Sequence, residues 1–132
     1  FLRVNTEGTV NLVKQSIAAG VKRFVFMSSI GAMTSSSDRP LTESSPCQPD
    51  TPYGRSKLQA EQALVQLASQ SNMTWTVLRP PLVYGAGNPG NMERLIKLVQ
   101  KGLPLPFGAV KNRRSLVYVG NLVDAIASTL NH

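Results

Sequence analysis

Apolar residues in the first part of the chain follow two different spacings. Residues 1 to 19 are predicted to form a helix whose apolar positions are Val10, Val13 and Ile17. Gly20 follows as a helix stop, and Val21 to Met27 is then nearly continuous in apolar residues, as in a central parallel strand covered on both faces. A helix joined by one glycine to such a strand predicts an α/β fold with a doubly wound parallel sheet, where ligands bind at the carboxyl ends of the strands.

The later part of the chain continues this alternation. Its predicted elements are a helix from Pro52 to about Ser69 that buries Leu64, Leu67 and Ala68, a strand over Thr74 to Leu78, a helix from Asn91 through Lys101, a strand over Ser115 to Val119 and a last helix. Asp50 or Thr51 can cap the first of these helices, and the two prolines after Arg79 end the strand. Asn121 with Asp124 resembles a capping box for the last helix.

The segments between these elements are rich in Ser, Thr, Pro and Gly. About twenty residues separate Ile30 from Thr51, and a loop of that length in a compact domain is usually functional or disordered. This loop must bring Tyr53 back over the end of the first strand, so we predict a partly ordered active-site flap. A second loop is predicted after Tyr84, and the proline-rich segment 103–107 is predicted to be extended.

Candidate chemistry lies in the segment Thr51-Pro-Tyr-Gly-Arg-Ser-Lys57. Tyr53 and Lys57 are one helical turn apart and would share a face, so the ammonium would lower the pKa of the phenol from its usual value of about 10. This pair predicts that Tyr53 is an acid/base group. Ser28 and Ser29, at the end of the first predicted strand, place hydroxyl groups nearby.

Composition narrows the class of protein. The 132 residues are enough for one domain or less, and the sequence has no apolar run of about 18 residues that would span a membrane. The net charge of +7 comes from basic residues spread over several elements, with one dense cluster at Lys111 to Arg114, so nucleic-acid binding is not favoured. The single Cys47 fits a reducing cytoplasm, and no metal site is predicted.

A series of motifs gives a more specific indication. In chain order they are Asn5-x-x-Gly8-Thr9, the strand ending in Ser28-Ser29, Leu41-Thr-Glu43, Pro52-Tyr-Gly-x-Ser-Lys57, Leu78-Arg-Pro-Pro-Leu-Val-Tyr-Gly85 and Arg114-Ser-Leu-Val-Tyr-Val-Gly-Asn-Leu-Val-Asp124. This ordered set resembles the extended short-chain dehydrogenases/reductases, and within them the nucleotide-sugar epimerase/dehydratase branch. The resemblance covers nearly the whole chain and implies a Rossmann-type fold and an NAD(P)-dependent enzyme.

The resemblance also implies roles for individual residues. Ser29, Tyr53 and Lys57 form the implied catalytic triad. The implied cofactor-binding residues are Ser28, Tyr53, Lys57, Pro80 and Pro81, and the implied substrate-binding residues are Ser29, Leu82, Asn91 and Arg114. Position matching to the family puts Ser29 beside the tyrosine, and strand alternation points Ser28 into the sheet instead. The guanidinium of Arg114 would clamp a substrate diphosphate.

The sequence departs from the family pattern at three places. Leu82 stands where many epimerases of this branch have an asparagine, and Met33 stands where they have a tyrosine or similar polar residue. The glycine-rich turn that binds a cofactor diphosphate is absent, since Gly85-Ala-Gly87 follows a late strand. We therefore expect a fragment whose cofactor-loop half lies upstream of Phe1. Residues 1–79 would be the C-terminal part of the dinucleotide-binding domain and 80–132 the start of a substrate-binding region.

The function implied by the resemblance is 4-epimerisation of a nucleotide sugar by transient oxidation at C4, with NAD as cofactor and NADP not excluded. The same residues fit a 4-keto-sugar reductase or an epimerase of lipid-linked sugar diphosphates. A non-catalytic dinucleotide-sensing protein of the same fold is the alternative from another class, although such proteins typically lack the tyrosine and lysine. A cytoplasmic location and a homodimeric parent protein are further expectations.

Overall fold

The computed structural model describes residues 1–87, 91–102, 108–109 and 111–131. The chain contains a π-helical turn Arg3–Glu7, α1 (Gly8–Ala18), β1 (Arg23–Met27), a 3₁₀ turn Ile30–Ala32, α2 (Pro52–Ala68), β2 (Thr74–Leu78), β3 (Leu82–Tyr84), α3 (Asn91–Gln100), β4 (Leu116–Tyr118) and α4 (Val119–Asn131). In these ranges no helix combines the length and the apolar character needed to cross a bilayer. The predicted extended segment 103–107 and His132 lie outside the described residues, as do positions 88–90 of the second loop.

The strands of the described chain form two parallel ladders, as an α/β fold requires. β1 pairs with β2 from Arg23↔Thr74 to Met27↔Leu78. β3 pairs with β4 from Leu82↔Leu116 through Tyr84↔Tyr118. Both ladders join strands that are separated by a helix, which is the βαβ arrangement of parallel sheets. The predicted parallel α/β class is therefore confirmed.

The core lies between the first ladder and the helices α1 and α2. Its buried residues are Val13, Phe26, Ala60, Leu64, Ala68 and Met73, with Ile17, Phe24, Leu67 and Val77 packed against them. Val13, Leu64 and Ala68 were the predicted core positions that became fully buried, because the helical spacing turns them toward β1. The sheet face is less covered than predicted, since Phe26 is buried and the other residues of β1 are half-buried.

Two predicted boundaries are wrong, and one predicted helix contains an irregular turn. The first strand begins at Arg23 rather than Val21, because Val21 N donates to Ser16 O and completes the end of α1. The first helix contains a π-helical turn, where Gly8 N donates to Arg3 O. The last helix begins at Val119, so Asn121 and Asp124 lie inside its first turns and do not cap it.

The last helix returns to the first ladder. The Nη1 of Arg23, the first residue of β1, donates to Thr129 O of α4 at 2.8 Å. This bond satisfies a backbone carbonyl in the last turn of the helix, where intrahelical donors run out. The division at residues 79 and 80 into two regions remains a prediction.

Candidate active site

The N-terminus of α2 is fixed by the local sequence. Thr51 has extended backbone angles, and its side chain accepts a hydrogen bond from Gly54 N at 3.0 Å, while Pro52 occupies the first helical position. Thr51 is therefore the cap among the two candidates. Asp50 instead accepts hydrogen bonds from the backbone and side chain of Ser35, which ties the long loop back to the start of the helix. The predicted partial order of the loop is seen in these bonds.

A close backbone approach at Gly54 sets the position of α2. A Cβ atom built on Gly54 would lie 2.1 Å from Gly31 O, so only glycine fits at this position. Gly31 belongs to the 3₁₀ turn that directly follows Ser29. The contact therefore seats the helix residue next to Tyr53 against the turn next to Ser29.

Lys57 reaches from α2 to the carboxyl end of β1. Its Nζ donates to Met27 O at 3.0 Å and lies 5.1 Å from the centroid of the Phe26 ring. The same atom lies 6.0 Å from the centroid of the Tyr53 ring, which confirms that Tyr53 and Lys57 share a helical face. Burial lowers the pKa of Lys57, and the nearby charge of Glu61 opposes this shift.

Tyr53 lies beside this lysine, and Ser29 follows two residues after Met27, whose carbonyl Lys57 contacts. Ser29 Oγ accepts from Gly31 N at 3.1 Å and caps the 3₁₀ turn, so its oxygen is oriented by the backbone. Tyr53 is 38% exposed, and its ring meets that of Phe1 edge to face with centroids 5.6 Å apart. The phenol is thus supported on one side and open to a ligand.

The segment after β2 lies beside Ser29. Ser28 N donates to Leu78 O at 2.8 Å, and Ile30 N donates to Pro80 O at 3.0 Å. These bonds continue the pairing of the two strands past their formal ends. They bring Pro80 and Pro81, both half-buried, to the carboxyl edge that also carries Ser29 and Lys57.

Ser28 does not join this group. Its side chain is 6% exposed, and its hydroxyl donates to Glu61 Oε1 in the interior, as strand alternation predicts. Glu61 also forms an ion pair with Arg79. Sequence reasoning missed Glu61 and Arg79. The available signal was an acidic residue one helical turn after Lys57, on the same face.

The residues assigned to the substrate are more dispersed. Leu82 is 47% exposed and pairs with Leu116 in the second ladder, and Arg114 lies exposed just before β4. Leu82 and Arg114 therefore lie at the same end of that ladder. Asn91 begins α3, but its side chain is outside the described part of the structure.

A cavity of about 520 Å³ opens at the other end of β3. Tyr84 and Gly85 line one side, and Met92, Glu93 and Ile96 of α3 line the other. Among the predicted site residues whose side chains the structure describes, none lines this cavity. The cavity arises where β3 and α3 meet, and β3 was not predicted from the sequence.

Comparison with known proteins extends these observations. The NAD dependent epimerase/dehydratase family matches residues 1–132. The UDP-glucose 4-epimerase of Vibrio cholerae is 46% identical, with 100% of this chain and 41% of that protein covered. The N-acetyl-alpha-D-glucosaminyl-diphospho-ditrans,octacis-undecaprenol 4-epimerase of Escherichia coli O157:H7 is 34% identical, covering 100% of this chain and 40% of the relative.

Solved structures agree with this result. MoeE5 in complex with UDP-glucuronic acid and NAD matches with a TM-score of 0.85 at 30% identity, over 100% of this chain and 46% of that chain. DesIV, a dTDP-glucose 4,6-dehydratase from Streptomyces venezuelae with NAD and TYD bound, matches with a TM-score of 0.84 at 26% identity, over 100% of this chain and 42% of that one. The chain spans about two fifths of the length of the curated relatives described above. These matches confirm the predicted Rossmann-type fold.

Proposed function

Because this chain belongs to the NAD-dependent epimerase/dehydratase family, we propose that the protein containing it is an NAD-dependent 4-epimerase of nucleotide sugars. The observation that carries the proposal is the pairing of Tyr53 with Lys57 at the carboxyl end of β1, where Lys57 Nζ is held by Met27 O. Parallel α/β sheets bind their ligands at this edge. The 46% identity to a UDP-glucose 4-epimerase supports the choice of reaction.

Each residue of the triad has a role that its environment supports. Tyr53 exchanges a proton with the sugar 4-hydroxyl, because its phenol is accessible and a cation lies beside it. Lys57 stabilises the phenolate by its positive charge. Ser29 holds the substrate oxygen next to Tyr53, since its own oxygen is already oriented by Gly31 N.

The described residues fit one end of NAD. The carboxyl edge of β1 and β2 carries Tyr53, Lys57, Pro80 and Pro81. There Lys57 would donate a hydrogen bond to the nicotinamide ribose, and the backbone of the two prolines would contact the nicotinamide. Pro80 O accepts a hydrogen bond from Ile30 N, and this bond fixes the position of the proline segment at the edge of the site. NAD would supply a reversible hydride acceptor for sugar C4. The hydroxyl of Ser28 is engaged by Glu61, so Ser28 would support the cofactor site through this bond.

Substrate binding is proposed for the second ladder. The exposed guanidinium of Arg114 presents a planar fork of donors suited to a diphosphate, and the basic neighbours Lys111 and Arg113 add positive potential. Leu82, at the same end of the ladder, gives an apolar contact, and Asn91 at the start of α3 is a further substrate residue. A homodimer in the cytoplasm completes the proposal for the whole protein.

The test is an NMR measurement on the protein at its natural length. Proton spectra of UDP-glucose incubated with the protein and a trace of NAD should show the C4 epimer accumulating to equilibrium, with no net reduction of NAD. If NAD is reduced stoichiometrically, or if the protein converts only a 4-keto sugar, the proposed epimerase is wrong and the protein is an oxidoreductase. Repeating the incubation with NADP decides the preferred cofactor.

A lipid-linked sugar diphosphate is the second candidate substrate. The 34% identical relative acts on such a molecule by its name, and exposed Leu82 beside the basic segment suits a diphosphate with an apolar carrier. Epimerisation of an undecaprenyl-linked sugar without turnover of UDP-glucose would select this candidate. Turnover of UDP-glucose alone would exclude it.

A further inference from the structure

One buried carboxylate connects the three segments that carry the candidate active site. Glu61 lies on α2 and is 4% exposed. Arg79 donates to it through two nitrogens, with Nε at 3.0 Å from Oε1 and Nη2 at 2.5 Å from Oε2. Ser28 donates its hydroxyl to Oε1. In the described chain every buried side-chain nitrogen or oxygen has a partner, so this network is complete.

The members of the network are neighbours of the residues proposed to act on substrate and cofactor. Ser28 directly precedes Ser29 at the end of β1, and Arg79 directly precedes Pro80 at the end of β2. Glu61 lies one helical turn after Lys57 on α2. A shift of the carboxylate would therefore move the serine, the proline turn and the lysine relative to one another.

We propose that Glu61 is a positioning residue for this site, holding Ser29, Lys57 and the Pro80 turn in register through its bonds to Ser28 and Arg79. The inference rests on the proposed function and adds a residue that does not itself touch substrate or cofactor. A fully satisfied buried network of this kind specifies one arrangement of its elements. Displacing a reacting group by an ångström costs about 100-fold in rate.

The same carboxylate acts on the charge of Lys57. Burial lowers the pKa of Lys57, and Glu61 opposes this by Coulombic attraction. Arg79 neutralises part of the Glu61 field, and Arg79 also interacts with Cys47 of the long loop. Tyr53 is a further titratable group near the ammonium. Removing Glu61 or Arg79 should therefore move the titration of Lys57 in opposite directions.

The first measurement is the pKa of Lys57 in the protein at its natural length. It is obtained by an NMR titration of protein whose lysines carry ¹³C at Cε, and the Lys57 signal is assigned as the one that is missing in Lys57→Arg. Glu61→Gln should lower this pKa, and Arg79→Gln should raise it because the carboxylate is then unpaired. Glu7→Gln, which removes an exposed carboxylate next to α1, is the control and should leave it unchanged. If the pKa of Lys57 shifts in the same direction in both variants, or does not shift, the proposed effect of Glu61 and Arg79 on the charge of Lys57 is wrong.

The second measurement separates kcat from KM. Glu61→Gln should lower kcat about 100-fold with little change in the KM for the sugar nucleotide. Ser28→Ala keeps the ion pair and should lose about 10-fold or less, and Arg79→Lys should recover part of the loss in Arg79→Gln. Equal effects on kcat and KM, or wild-type kcat in Glu61→Gln, would contradict positioning. If Glu61→Gln does not fold, the kcat and KM of Ser28→Ala, Arg79→Gln and Arg79→Lys test the positioning role in the same way.

The two readouts separate this inference from the proposed function. Wild-type protein without epimerase activity would remove the proposed function, yet the lysine titration would still report whether Glu61 and Arg79 control Lys57. If the wild-type protein is an active epimerase, but Glu61→Gln changes neither the Lys57 titration nor kcat, only the positioning role is wrong.

Discussion

The two ladders of this chain differ in how much of their apolar surface is buried. Among the described residues, the buried apolar side chains all precede Arg79 and pack around β1, α1 and α2. In the second ladder Leu82, Tyr84, Leu116 and Tyr118 are between 37% and 47% exposed, and α4 has no buried residue. The proposed acid/base chemistry is thus on the packed part, and proposed substrate contacts are on the open part.

This difference leads to a rule for substitutions. Changes near the first ladder should affect stability and the geometry of the triad together, because the same contacts support both. Changes in the second ladder should affect ligand binding with little loss of stability of this chain, because few contacts within the chain are removed. The predictions below test this separation.

The largest effect on stability is expected for Leu64→Ala. Leu64 is 0% exposed in the core between α2 and β1, so truncation removes its packing and leaves a cavity. The free energy of unfolding should fall by about 4 kcal/mol. Leu116→Ala, at a 45% exposed position of β4, is the matched control and should cost under about 1 kcal/mol. Urea denaturation measures both, and equal losses would remove the distinction between the ladders.

Gly54→Ala should come next and should also impair turnover. The new Cβ would lie 2.1 Å from Gly31 O, and a backbone atom cannot rotate away as a side chain can. We expect a loss of about 3 kcal/mol in unfolding free energy, with α2 displaced from the Ser29 turn. Gly108→Ala meets nothing within 4 Å and is the control. A stable, fully active Gly54→Ala protein would show that this close approach does not set the site.

Arg114→Ala should weaken ligand binding without changing stability. If the guanidinium holds phosphate oxygens, affinity for the nucleotide sugar and for the free nucleoside diphosphate should both fall about 10-fold. Arg94→Ala, at an exposed position of α3, is the control. Calorimetric titration of both ligands checks this, and unchanged affinity would return Arg114 to an ordinary solvated residue.

The smallest effect is expected from Asp50→Asn. The hydrogen bond from the Ser35 side chain, followed by backbone hydrogen bonding, lowers the pKa of Asp50 below its ordinary value. A carboxyl whose folded pKa is depressed stabilises the folded state above its unfolded pKa and loses that contribution as pH falls through the folded pKa.

Asp50→Asn should therefore be slightly less stable than wild type near pH 7, and the difference should shrink as the pH falls through the folded pKa of Asp50. Asp38→Asn in the same loop is the control. Denaturation curves at neutral and at acid pH decide the point, and a difference that grows in acid would show that the sign of the Asp50 contribution is wrong.

The elements that could be predicted from the sequence are those marked by residues close to their ends. The strand Thr74–Leu78 was predicted with the right ends because Arg79 and two prolines follow it, and Thr51 with Pro52 marks the start of α2. β3 was missed because the two prolines directly before it predict the end of a strand. Its pairing with the distant β4 is not a local signal.

The same limit applies to the site. Tyr53 and Lys57 were found because helical spacing alone places them on one face. The bonds from Ser28 and Arg79 to Glu61 cross sequence separations of 33 and 18 residues, so they depend on the packing of α2 against both strands. Sequence reasoning predicted that Ser28 faces inward, but its partner became visible only in the fold.

The central claim is that Tyr53 is the acid/base group of an NAD-dependent epimerase, and one measurement tests it most directly. In the protein at its natural length, Tyr53→Phe keeps the ring that packs on Phe1 and removes the transferable proton. We predict that kcat falls by about 100-fold to 10,000-fold while NAD affinity stays near wild type, and that Tyr118→Phe changes neither. Turnover of Tyr53→Phe within a few-fold of wild type would contradict the account.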